Sequence, residues 1–115
     1  MTALRIYLVA GWLAIAAITA WAAAEPGLVA AVETFVSDLG HPWRRQFYAD
    51  LELHLLLVAG WIVWRERSLG LGLLCAAATM MLGALFTLPY LLFASVAAEG
   101  DAAALLLGSR RARLS

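Results

Sequence analysis

The chain has 115 residues, no net charge, 64% hydrophobic and 14% charged side chains, and a mean hydropathy of +0.86. A soluble domain is roughly half apolar and roughly a quarter charged, so this balance excludes an ordinary soluble fold and predicts one small all-helical integral membrane domain, residues 1–115. Zero net charge leaves no basic surface for nucleic acid, and the lone Cys75 makes neither an internal disulfide nor, by itself, a metal site.

Residues 4–24 are apolar apart from Arg5 and Thr19. A run of about 20 such residues is the length of a membrane-crossing helix, with Trp21 placed for an interfacial belt. A cleavable leader is the competing reading, with Arg5 before an apolar core and Ala22-Ala23-Ala24 as the cleavage site; a retained helix is expected. Glu25-Pro26-Gly27 ends the run. In residues 28–39 the larger apolar side chains fall on Leu28, Val32, Phe35, Val36 and Leu39. That spacing marks one face of a helix. The segment is too short and too polar to cross a bilayer, so it is expected to lie on the surface.

Gly40-His41-Pro42 then turns the chain into a second apolar helix near residues 47–64, preceded by Arg44 and Arg45 and followed by Arg65, Glu66 and Arg67. Trp64 and the flanking arginines Arg44, Arg45, Arg65 and Arg67 are expected to be interfacial anchors, like Trp21. The third apolar run, Leu69 to Ala98, carries no charge. It is expected to form a third membrane helix near residues 69–94, antiparallel to its neighbours and kinked at Pro89, which lacks an N–H. Cys75, Thr79, Gly83 and Thr87 recur every fourth residue and would form a stripe of small side chains where another helix packs closely. The tail, residues 99–115, is expected on the surface. With three crossings, the N-terminus and the Arg65–Arg67 loop share one side, and the first loop and the tail the other. Arginine placement leans to a cytoplasmic N-terminus.

The run HPWRRQFYADLELHLLLVAGWIVWRERSLGLG, followed later by LPYLLF, resembles a family of small bacterial membrane proteins of unknown function. The matching positions are Pro42, Phe47, Ala49, Asp50, Glu66, Arg67, Leu69, Gly70, Leu88 and Pro89. The resemblance implies three membrane helices in a multi-pass protein of the bacterial inner membrane, and no known activity. Glu52 and His54 depart from its pattern, so it assigns them no role.

The candidate chemistry lies in the second helix. Asp50, Glu52 and His54 are the ionisable residues of its apolar stretch, and such residues are costly within a membrane. Asp50 and His54 are four apart and share a face; Glu52 points the other way. They read as an acid–base pair acting on a lipid or isoprenoid, or as a polar interfacial turn paired with Arg44 or Arg45, which is the preferred reading. His54 alone is a weak candidate ligand for haem or chlorophyll. No phosphate loop, metal-ligand cluster or nucleophile motif is present in the sequence. The expected function is that of an accessory, structural or assembly subunit without catalysis of its own, in contact with membrane lipids and with other subunits or a second copy. A lipid-directed enzyme and an oligomeric small transporter are the alternatives.

Overall fold

The computed structural model describes residues 1–111, which form helices and turns only. In chain order these are α1 (Thr2–Ala24), α2 (Leu28–Asp38), α3 (Pro42–Arg65), α4 (Leu69–Leu82), α5 (Ala84–Ala97) and α6 (Ala102–Leu107), with a closing 3₁₀ turn at Gly108–Arg110. Arg113, in the tail, lies outside the described residues. The molecule is elongated, 49 × 25 × 24 Å.

Local chemistry sets the boundaries. Gly27, at φ +88°, closes α1 by donating its N–H to Ala22 O (3.1 Å). Pro42 opens α3, where its missing N–H costs nothing. Ser68 caps α4, its Oγ accepting the Leu71 N–H at 3.3 Å. Asp101 caps α6 in the same way through Ala103 (3.0 Å). α1 and α3 are each long and apolar enough to cross a membrane.

The third apolar run departs from expectation. It is not one long helix over residues 69–94 but two helices of 14 residues each, separated by Gly83. Gly83 sits at φ +58°, ψ −128°, a conformation essentially confined to glycine. Its N–H caps α4 by bonding Thr79 O (2.9 Å), and its carbonyl accepts the Thr87 N–H at 3.0 Å to start α5. The chain folds back at this residue, so that Tyr90 of α5 reaches Glu66 before the start of α4. Pro89 does not make the break. It lies inside α5, and the carbonyl it leaves without an intrahelical donor, that of Leu85, accepts the Trp12 indole N–H at 3.1 Å. A helix tolerates an internal proline when a neighbour satisfies the freed carbonyl.

Two antiparallel pairs form the body. α1 runs against α5, with Arg5 on Ser95, Gly11 against Leu88 and Trp12 on Leu85. α3 runs against α4, where a methyl group on Gly72 would stand 3.1 Å from Val63 Cα; small residues permit that backbone approach. The expected small-residue stripe is divided by the turn. Cys75 and Thr79 lie on α4, Gly83 is the hinge and Thr87 belongs to α5. Thr79 alone of the four is fully buried, its hydroxyl returned to Cys75 O (2.9 Å).

The tail also lies elsewhere than expected. α6 and the 3₁₀ turn pack on the C-terminal end of α3, so the tail and the Arg65–Arg67 loop share one end of the molecule. The N-terminus joins them through Arg5 and Ser95. At the other end α2 is pinned to α3. Asp38, although buried, accepts from Arg44 Nη1 (2.8 Å) and the Tyr48 hydroxyl (2.9 Å), and Phe35 packs edge-on against Tyr48 at 5.0 Å between centroids.

Candidate functional site

Two polar centres lie on α3. The first is the pair expected from sequence. Helical spacing brings Asp50 and His54 together, with His54 Nδ1 2.7 Å from Asp50 O and 3.4 Å from its Oδ1. The carbonyl can only accept, so a hydrogen bond there requires the proton on Nδ1 and leaves Nε2 as the acceptor of the neutral ring. Both side chains stay open, 59% exposed for Asp50 and 71% for His54. Glu52 does not join them; it lies half-buried on another face. Arg44 pairs with Asp38, not with Asp50, so the expected neutralisation by that arginine is not the observed arrangement. The imidazole could accept a proton or ligate a metal through Nε2. No group of three His, Cys, Asp or Glu side chains that could hold a metal ion occurs among the described residues.

The second centre is at the far end of α3, where sequence suggested only surface anchors. Arg65 is buried, 8% exposed. Its Nε donates to Leu105 O at 3.1 Å, and its Nη1 donates to Glu66 Oε1 (3.0 Å) and to the Tyr90 hydroxyl (2.7 Å). Tyr90 in turn donates to Glu66 Oε1. The guanidinium lies over the Trp61 and Tyr90 rings, 5.4 and 5.5 Å from their centroids. Tail atoms close the arrangement. Ser109 Oγ donates to Arg65 O (2.8 Å), Trp61 Nε1 to Leu106 O (3.0 Å) and Arg110 Nε to Trp64 O (2.9 Å). Gly108 lies so close that a methyl group there would stand 2.6 Å from Arg65 O.

A cleft of about 480 Å³ opens beside this cluster, lined by Arg65, Glu66, Arg67, alanines of α5 and Ser109. The cluster couples α3, α5 and the tail, and no buried side-chain nitrogen or oxygen among the described residues lacks a hydrogen-bond partner. Satisfied buried networks of this kind specify and rigidify structure. Of the expected anchors, Arg65 is therefore an internal strut. Arg67 and Trp21 are exposed, Arg44 and Arg45 stand at the opposite end, and Trp64 lies under Arg110, 5.6 Å from ring to guanidinium.

Sequence reasoning missed Tyr90, Ser95, Ser109 and the structural part of Arg5. The signal available for Arg5 was the one used for Asp50, an ionisable residue inside an apolar run. Its Nη2 donates to Ser95 O at 2.9 Å and its Nε to Ser95 Oγ at 3.2 Å.

Comparison with protein-family models, with curated proteins and with solved structures gives no match.

Proposed function

We propose that this chain is a helical integral membrane protein serving as a non-catalytic accessory or assembly subunit of a larger membrane complex. The observation that carries the reading is its inverted surface. Among the described residues the buried apolar side chains are Leu8, Ala59, Ile62, Ala94 and Leu105, whereas Tyr7, Trp21, Phe47, Leu57, Met81 and Phe93 are among many large ones left more than half exposed. Water does not tolerate an apolar surface on that scale; lipid or a partner must cover it. The tight polar bonds, by contrast, tie helix to helix, and the Asp50–His54 pair stands open.

In this reading α1 and α3 cross the bilayer. α4 and α5, at 1.5 Å per residue about 21 Å long, fall short of a hydrocarbon core about 30 Å thick and enter and leave it on one side. That side holds Arg5, Arg65, Arg67, Arg110 and Arg111, against Arg44 and Arg45 opposite. The positive-inside rule then favours a cytoplasmic N-terminus and tail helix α6, at the inner membrane of a bacterium. Native mass spectrometry of the tagged chain, extracted from its own membranes in mild detergent, tests the function. A particle of fixed stoichiometry containing a second kind of polypeptide is expected. A chain released by alkaline carbonate, or one that purifies alone and turns over a lipid, would overturn it.

A further inference from the structure

One pattern on α3 is not used by the fold. Trp43, Phe47, Asp50, His54 and Leu57 follow one another at intervals of four, three, four and three residues, the seam of a two-stranded coiled coil. Trp43, Phe47 and Leu57 are 76%, 61% and 75% exposed. At 100° per residue the seam lies on the side of the helix away from Leu55, Ala59 and Ile62, which face the rest of the chain. The same spacing continues to Trp61 and Trp64, where the tail covers it through Leu106 and Arg110. The open seam is thus the half of α3 farther from the tail.

Within the membrane reading above, this seam carries two polar groups at depth. His54 lies about 17 Å along the helix from Arg65, near the middle of a core about 30 Å thick, and Asp50 about 6 Å farther on. Polar groups facing lipid at such depths are expensive. We propose that a second copy of this chain covers the seam, with the two α3 helices side by side and parallel about a two-fold axis along the membrane normal. The pair is self-complementary, as an isologous interface requires. His54 Nδ1 is committed to the Asp50 carbonyl of its own helix, which leaves Nε2 for the carboxyl of Asp50 on the other copy. One proton lies between that carboxyl and Nε2, and the two-fold makes the bond twice. Phe47 and Leu57 flank the polar layer with apolar knobs. Polar groups at seam positions also fix register.

The proposal rests on the membrane reading, and alkaline carbonate extraction separates the two. Single-cysteine chains are made on a Cys75→Ala background, reconstituted in liposomes and oxidised. Leu57→Cys, on the seam, is expected to give predominantly disulfide-linked dimer. Leu56→Cys, also exposed but about 100° round the helix, is expected to remain monomer. Adding Asp50→Leu to the Leu57→Cys chain removes most of the dimer while the protein stays carbonate-resistant. Equal cross-linking of both cysteines, or a carbonate-resistant monomer from Leu57→Cys, overturns the seam and leaves the membrane reading standing. A carbonate-soluble chain overturns both.

Discussion

Replacing Glu66 by leucine removes the carboxylate that balances Arg65 while leaving the guanidinium enclosed by Trp61, Tyr90 and Gly108. Removing one partner of a buried ion pair costs about 3–5 kcal/mol, because the other charge stays buried and unpaired. The Glu66 side chain is 17% exposed, so solvent relieves part of this, and a loss of about 3 kcal/mol is expected. Arg65→Met strands the carboxylate instead, releases Leu105 O, and is expected to cost a similar amount. The double variant Arg65→Met/Glu66→Leu leaves no orphan charge. Apolar replacement of a whole buried pair is often neutral, so the double variant should be more stable than either single one, with a coupling energy of about 2 kcal/mol or more. Equilibrium unfolding of the four proteins in detergent micelles measures the cycle. Limited trypsin digestion at Arg110 and Arg111 reports the tail separately and should accelerate in Arg65→Met. A double variant whose loss equals the sum of the singles would refute the account of Arg65 and Glu66 as a coupled buried pair.

The proline of α5 gives a paired test. Trp12→Phe should cost about 1 kcal/mol by stranding Leu85 O, and Pro89→Ala in the same chain should restore most of it, because an alanine N–H at position 89 can take that carbonyl back; calorimetry showing no rescue would contradict this. Gly83→Ala places a side chain at φ +58° and should destabilise by about 1 kcal/mol or more. Gly83→Leu should disturb assembly more than Leu82→Ala, and equal tolerance in a co-purification assay would count against the hinge. Gly108→Ala combines positive φ with a clash against Arg65 and should free the tail, read as faster trypsin cleavage. Asp50→Asn and His54→Gln should leave the fold of the single chain unchanged, since neither side chain joins another of its helices; a variant that folds and assembles but loses all function would instead favour catalysis by the pair.

The first two apolar helices were legible because their polar punctuation is local. Glu25-Pro26-Gly27 and Gly40-His41-Pro42 interrupt the hydropathy; α2 ends one residue short of the expected 28–39, and α3 starts at Pro42, five residues before the expected 47. Leu69 to Ala98 offers no such interruption. Its turn resides in one backbone conformation at Gly83, and a glycine in an apolar run carries no mark that separates a packing residue from a reversal. Pro89 carried the stronger local signal, yet the reversal is at Gly83, and the carbonyl that Pro89 frees is taken by Trp12, on another helix. Arg65 was misread for a related reason. An arginine after an apolar helix looks like an anchor until the tail folds back over it, and that return is a tertiary event.

Within the proposed membrane setting the polar bonds have a common logic. Lipid supplies little hydrophobic drive between helices, so pairing falls to close packing and to hydrogen bonds. α3 and α4 use close packing, through Gly72 on Val63. Four other junctions have a polar clamp: Arg5 on Ser95 and Trp12 on Leu85 for α1 and α5, Asp38 with Arg44 and Tyr48 for α2 and α3, Arg65 and Glu66 with Tyr90 for α3 and α5, and Arg65 on Leu105 for α3 and α6. Asp50 and His54 break the pattern. They satisfy each other within one turn of α3 and join no second helix among the described residues. This outward-facing pair is what the proposed second copy of the chain would engage.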